Sequence, residues 1–539
     1  MHPGGIAVTT APVRRETTTP DLLSAFPFPF VDDIYRYSTN VEPANQQVIT
    51  PAGQWGDSVV VIDSEYRSEL AERAAVLDAD PTRRAVLPHM RPAAWDALMT
   101  MLRELAHAYP DTMHLTSAGH DEWHWRNDLL DDERTFRYGE EASLGDDPLH
   151  YLSTQVQEDI ALLDQRDDQL FVDAGVITFA ADWSFGFDVG MSFLEIHGPV
   201  PRVRKMGVIT RAHEFLKRLQ PHEPYRRTNW TMTIGRRLDV STERYPEWGP
   251  DREMIQHVDD AEFGRLVHLR VEVQHLIRLP DSGAIMFVIR TYLLPLEALA
   301  TVEPWRTRAA EVFAELPDDM ADYKGIIKYR TRASEWLRTH AGHQPSADDN
   351  MTPTTELDAT QGIATEPTHG LPEWPSRPPE VDATGSEFLI VAAGATDETA
   401  HTARAWVRTA ESIGPTRLLV LDSLTHDDDR TSLIDALAAT HTGGRILVTG
   451  GQYDVLTALA LARESGAIAD ELAAFVTDTT DLPVYCAHCR DTFRGVGSPG
   501  GVVECPGCTR RLEIHEHHSA SRGSFLASAV DARDLEALS

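Results

Sequence analysis

Cysteine is scarce in this chain: 539 residues hold four, and all of them fall between Cys486 and Cys508. No disulfide, thiolate metal site or cysteine nucleophile is therefore available before Cys486. Positive charge is scarce as well. Lys and Arg number 49 against 84 Asp and Glu, leaving a formal net charge of −35 and a pI near 5.0. That balance disfavours nucleic acid and anionic membranes as partners and suits cationic small molecules or basic proteins. Long apolar runs are missing too. No stretch reaches bilayer length, and the opening MHPGGIAVTTAPVRRETTTPD lacks the apolar core of a secretory signal. With its thiols confined to two C-x2-C pairs, the chain is expected in the reducing cytoplasm.

The cysteines that are present follow a strong pattern. Cys486-x2-Cys489, fifteen residues, then Cys505-x2-Cys508 matches the spacing of a four-thiolate zinc site. Gly495, Gly497, Pro499, Gly500 and Gly501 are expected to form the turn of a small hairpin between the two pairs. Free or disulfide-bonded thiols are the plain alternative, and a rubredoxin-like iron site is the sharper one. Arg490 and Thr509 occupy positions where rubredoxins usually carry glycine, which favours structural zinc. His515, His517 and His518 follow closely and read as a solvated run, since four sulfurs already close the shell.

Length allows two to four domains, and 42% hydrophobic residues suffice for real cores. Residues 341–385, rich in Pro, Thr and acidic side chains with no apolar period, read as a disordered linker. Beyond it, in 386–480, the apolar runs EFLIVAAG, TRLLVLDS and GRILVTGG each precede a helical stretch, which argues for a small parallel α/β sheet. The segment GGRILVTGGQYDVLTALALARESG is similar to a reductase nucleotide lobe, yet it contains no G-x-G-x-x-G. The cysteine ribbon is placed at 481–525. Residues 26–340 form the large unit, read as α+β. Helical periods appear in SEYRSELAERAAVLDAD, with Ser64 as N-cap, and in PAAWDALMTMLRELAHAYP; β runs appear in FVDAGVITFAADWSF, RTNWTMTI, RLVHLRVEVQHLIRLP and AIMFVIRTYLLPL. Alternation puts His268, Arg270, Glu272, Gln274 and Leu276 on one strand face, with Leu269, Val271, Val273 and His275 on the other.

Five motifs, QEDIALL (157–163), WSFGFDVGMSFLEIHGPVP (183–201), RTNW (227–230), LRVEVQHLIRLPDSGAIMFVIRTYL (269–293) and YKG (323–325), occur in an order that resembles the haem-dependent oxidative N-demethylase alpha-subunit family. The tail from about Ser386 resembles the small A subunit of dimethylamine monooxygenase, so two components of one amine-oxidising system look fused. The resemblance implies a PAS-like sheet carrying haem b. It also implies oxidative N-demethylation of a small secondary amine, such as dimethylamine, to a primary amine and formaldehyde with O2. One departure is Val273, which stands inside the Glu-Arg-Gln triplet expected at 272–274.

With cysteine confined to the ribbon, an axial thiolate is excluded from the large unit, and histidine becomes the favoured iron ligand. His197 leads, because Gly198, Pro199 and Pro201 fix the backbone around it; His275, His268, His120 and His124 follow. Arg227 and Asn229, in the RTNW motif, are the further cofactor-binding candidates. Glu272 is the candidate to hold an ammonium or take its proton, and Arg270, Arg290, Arg227 and Tyr292 to pair with propionates or stabilise bound oxygen. An Arg and a Glu two apart on a strand also form plain cross-strand ion pairs, and Trp230 reads as core. No flavin site and no second cysteine set is evident, so a separate flavin or iron–sulfur reductase is implied, with a hetero-oligomer as the expected assembly. The contrasting reading is a PAS-like haem gas or redox sensor with a zinc-ribbon interaction arm.

Overall fold

The computed structural model describes residues 19–36, 39–56, 58–119, 121–202, 207–340, 371–394 and 396–530. The large unit is built on one seven-stranded sheet. Its strands are β1 (Glu42–Pro43), β2 (Arg84–Val86), β3 (Asp159–Arg166), β4 (Gln169–Val176), β5 (Tyr225–Ile234), β6 (Val267–Arg278) and β7 (Ile285–Pro295). They lie in the order β1-β5-β6-β7-β3-β4-β2, and every pairing is antiparallel. Of these, β1, β2 and β3 lie outside the β runs expected from the sequence.

Two helices cover one face, α1 (Tyr66–Ala79) and α2 (Arg91–Ala108). The second buries Ala94, Leu98, Met101 and Leu105, the three-and-four spacing of an apolar stripe, against Ile160, Leu162, Val176, Met286 and Val288. The first helix is held differently. Its N-cap is Glu65 rather than Ser64, with no side-chain cap bond, and its buried residues are Tyr66, Glu69 and Arg73. Arg73 donates to the carbonyls of Ser153 and Gln157 and to Asp159, while Glu69 receives Arg290 of β7. Polar contacts dock this helix where the others use apolar area.

The opposite face is roofed by short helices, α3 (Phe185–Asp188), α4 (Phe193–Ile196) and α5 (Val208–Lys217). At Gly175 of β4 an added Cβ would stand 2.7 Å from the Phe185 ring and 2.8 Å from the Ile160 carbonyl, so only glycine lets α3 lie this close. Further along, α6 (Glu303–Glu315), α7 (Asp318–Tyr323) and α8 (Arg330–Thr339) close a second core around Trp230, Val271 and Leu294. Among the described residues no helix is long and apolar enough to cross a membrane.

Of the expected linker, 341–370 lies outside the described residues. The part from 371 to 385 has no helix or strand, yet it is anchored, with Trp374 packed between two cores and its Nε1 donating to Gln452. Next comes the expected parallel sheet, with one strand more than the three foreseen: β8 (Phe388–Ala393), β9 (Thr416–Leu421), β10 (Arg445–Gly451) and β11 (Leu472–Asp478), in the order β9-β8-β10-β11. The helices α9 (Asp397–Ala410), α10 (Asp427–Ala438) and α11 (Gln452–Glu464) connect them.

The cysteine segment is larger than a hairpin. Five strands, β12 (Asp481–Cys486), β13 (Asp491–Val496), β14 (Val502–Glu504), β15 (Arg511–Ser519) and β16 (Ser524–Ala529), form a sheet in the order β13-β12-β16-β15-β14. The glycine-rich loop therefore joins the two edge strands of this sheet, and no hairpin ladder runs between β13 and β14. This sheet docks on the large unit. Phe187, Met191, Tyr485, Ala487 and Leu526 make a shared apolar cluster, Arg522 donates to the carbonyls of Gly186 and Phe187, and Arg490 pairs with Asp80.

Arg290 ties β7 to α1 through 2.6 Å bonds to both Glu69 and Asp63. Arg290→Leu leaves two carboxylates without their cation, at a cost of about 3–5 kcal/mol. A lowered denaturant midpoint is expected, and an unchanged midpoint would refute this account of how α1 is held.

Candidate functional site

Between the main sheet and its roof of short helices lies a cavity of about 970 Å³, at the upper end of cofactor-site volumes. Its floor follows from strand register. Arg227 stands opposite Gln274 and Asn229 opposite Glu272 across β5 and β6, so alternation brings all four, with Arg270, to the cavity face. Arg227 Nη1 donates to Gln274 Oε1 at 3.0 Å, and Gln274 Nε2 and Asn229 Nδ2 donate to Glu272 Oε2 at 3.1 and 3.4 Å. Arg270 Nε reaches the other Glu272 oxygen at 3.3 Å, and its remaining donors go to the carbonyls of Leu238 and Phe179 and to Thr291. The result is a continuous polar row in which Arg270 is fully enclosed. Both oxygens of Glu272 already accept hydrogen bonds.

His197 stands on the wall at the end of α4. Ser192 and Glu195 close a reciprocal capping box at the start of that helix, which fixes the single turn leading to the histidine. The ring lies 4.3 Å from Phe193, and its Nδ1 is 2.7 Å from the Phe193 carbonyl. A carbonyl only accepts, so Nδ1 carries the proton and Nε2 keeps a free lone pair. Desolvation lowers the imidazole pKa to about 4, which keeps it neutral. Lys324, from the YKG motif, also lines the cavity; desolvation and nearby Arg227 bring its amine down to about 8, and its Nζ donates to the Trp230 carbonyl at 2.6 Å. Trp230 packs with Phe30 and Phe313 in the core and shows part of itself to the cavity.

The C-terminal sheet supplies wall residues that the sequence reading did not foresee. His517 and His518 are buried, contrary to a solvated run, and His517 lines the cavity with Leu526 and Asp188. His515 bonds Ser528 at 2.7 Å. Neither His517 Nε2 nor Asp188 Oδ1 has a hydrogen-bond partner, although they stand 3.8 Å apart. Burial and the nearby Glu243 raise the Asp188 carboxyl well above the usual range, and burial lowers His517 to about 3. Only His518 keeps the parity of the fully buried Leu512 and Ile514, and a register shift between Ile514 and His518 breaks the alternation, so no local pattern marked His517.

Other expected residues lie elsewhere. Arg290 pairs with Val273 and Tyr292 with Val271 across β6 and β7, which places them on the face opposite Glu272. Arg290 is spent on Glu69 and Asp63 and stacks on Tyr292 at 5.1 Å; neither residue lines the cavity. His275 shares that far face and has no hydrogen-bond partner on either nitrogen. His268 is tied to the Leu266 carbonyl, and His124 sits in a separate three-stranded meander beside Thr135 and Glu133. His120 lies outside the described residues.

The four sulfurs of Cys486, Cys489, Cys505 and Cys508 gather within 4.8 Å of one another, with Cys486–Cys508 at 3.7 Å and Cys489–Cys505 at 3.3 Å. A tetrahedron with metal–sulfur bonds of about 2.3 Å has edges of about 3.8 Å. Arg490 and Thr509 take φ of 60° and 56°, the left-handed knuckle conformation that glycine adopts more cheaply. A Cβ on Gly507 would stand 3.3 Å from the Cys489 sulfur.

The chain matches two family models and a curated relative. The family model described as haem-dependent oxidative N-demethylase, alpha subunit-like, matches residues 52–334, just over half of the chain. Residues 483–527 match the C-terminal domain of dimethylamine monooxygenase subunit DmmA-like proteins. A curated relative from Ectopseudomonas mendocina (strain ymp), the heme-dependent oxidative N-demethylase delta subunit, is 28% identical over 169 residues, which are 31% of this chain and 93% of that protein. One polypeptide thus carries similarity to three separately named subunits.

If the sulfur cluster holds a metal, Cys505→Ser should lower metal content per chain and expose the C-terminal sheet to protease before the main sheet. Equal metal content and equal cleavage in the two proteins would remove the cluster from the structural account.

Proposed function

Because the chain belongs to the haem-dependent oxidative N-demethylase, alpha subunit-like family, we propose that it is the oxygenase component of an amine-oxidising system. It would convert a small secondary amine of the dimethylamine kind to a primary amine and formaldehyde. The observation that carries this reading is His197: a neutral imidazole on the wall of a 970 Å³ cavity, its Nδ1 proton engaged by the Phe193 carbonyl. Metal-ligating histidines are oriented in this way, with the second nitrogen held by a backbone carbonyl or carboxylate. The cavity volume and this donor fit haem b, in a sheet that we read as PAS-like. Bound there, haem supplies oxygen activation with two electrons delivered from outside.

Residues of this chain set the conditions for that chemistry. Arg227 and Lys324 bring positive charge to the cavity and suit the propionates. Asn229 and Gln274 hold Glu272, while Arg270, locked by two backbone carbonyls, keeps one fixed guanidinium under the cavity. Glu272 accepts from three donors and is assigned to positioning this row. Arg290 and Tyr292 keep a role in the fold, on the far side of the sheet.

We read the four-thiolate site as structural zinc, with rubredoxin-like iron as the alternative that metal analysis decides. A separate flavin or iron–sulfur reductase would deliver the electrons in the cytoplasm. The sensor reading gains no support from the family matches, which name oxidative demethylases.

With dimethylamine, a compatible reductase, reduced nicotinamide and air, the protein should release formaldehyde and methylamine together. His197→Ala should lose the Soret band or its bound haem, and His124→Ala should keep both. Haem binding that survives in the His197 variant would remove the observation on which the reading stands. Intact haem with no product from any secondary amine would overturn the assigned reaction.

A further inference from the structure

Glu272 is already held by three donors, and the cavity wall also carries a pair of buried polar side chains that the polar row does not engage. Asp188 Oδ1 and His517 Nε2 are both buried and without hydrogen-bond partners, 3.8 Å apart, on side chains that line the cavity. Leaving two such atoms unsatisfied destabilises the fold. Native proteins accept that cost where a ligand or a mechanism uses the groups.

We propose that Asp188 and His517 together form the subsite for the substrate's nitrogen, each accepting one N–H of a dialkylammonium; this rests on the amine-oxidising reading above. A nitrogen about 2.9 Å from each acceptor fits a pair separated by 3.8 Å. A secondary ammonium has two N–H bonds to give, a tertiary one has a single bond, and a quaternary one has none. Phe193, Ile196 and Leu526, which line the same wall, offer apolar surface for the alkyl groups. An ammonium placed there favours the carboxylate form of Asp188, as any opposite charge does, and the neighbouring Glu243 adds negative potential.

The two acceptors come from different parts of the chain. Asp188 ends α3 of the large unit, and His517 is carried on β15 of the C-terminal sheet. Phe187, next to Asp188, meets the His517 ring edge-on at 5.2 Å and Tyr485 at 5.4 Å, so docking of that sheet sets the spacing of the pair. The subsite is complete only when the C-terminal sheet is in place.

Calorimetric titration of the intact haem-loaded protein with dimethylammonium chloride, without reductant, tests this. Asp188→Asn should raise Kd by about tenfold or more, the loss of one charged hydrogen bond. His517→Phe, which keeps the ring contact with Phe187, should raise it by about threefold to tenfold. Tetramethylammonium should bind weakly and equally to all three proteins, and an unchanged Soret band and melting temperature would show that each variant is folded. If the parent binds dimethylammonium and both folded variants match it within about twofold, the subsite is wrong and the amine reading survives. Tetramethylammonium binding as tightly as dimethylammonium would also overturn the subsite. A haem-loaded parent that binds no secondary ammonium overturns both.

Discussion

An antiparallel strand commits each side chain to one face of its sheet, and in this protein that commitment separates two sets of charges. On β6 and β7, Glu272 stands opposite Thr291 and Val273 opposite Arg290. One face therefore carries Arg270, Glu272 and Gln274 beneath the cavity, and the other carries Arg290, which donates to Glu69 and Asp63 and locks α1 in place. A register slip of one residue would exchange the two sets, opening the fold's ion pairs to the cavity and burying the cavity's polar row against α1 and α2. The pairing of these two strands is the constraint on which both the fold and the site rest.

The second determinant is the docked C-terminal sheet. Its contacts with the large unit are few and specific: Arg522 on two backbone carbonyls, Arg490 on Asp80, and a small cluster in which Phe187 meets Tyr485. Tyr485 directly precedes Cys486, so the sulfur cluster and the cavity wall are built into adjoining parts of one sheet. A metal bound at the cysteine end would also steady β15 and its His517.

Much of this organisation was legible in the sequence, and unevenly so. The cysteine spacing identified the sulfur cluster because two short knuckles bring their own thiolates together with little help from the rest of the fold. Alternation along 268–276 correctly sorted the two faces of β6, since strand parity is a local property. Arg290 and Tyr292 were drawn to the wrong side because parity within one strand says nothing of its register against another. Strand β11 was missed because Leu472–Asp478, LAAFVTD, is half-exposed and lacks the apolar run of its neighbours. The histidines at 515–518 read as solvated because a polar run signals surface unless another part of the chain covers it.

By itself the sequence determined the composition of each part: four thiolates at metal-site spacing, an antiparallel strand set with a polar stripe, a parallel α/β unit, and a histidine in the EIHGPVP turn. These depend on neighbours within a few residues, through alternation, helical period and turn chemistry. Only the tertiary structure decided which charges met. It turned Arg290 away from Glu272, gave donors to both oxygens of Glu272, and set Asp188 beside His517 although they lie 329 positions apart in the chain. Such meetings depend on register and docking, which are settled by the summed burial of whole faces, and no local pattern encodes them.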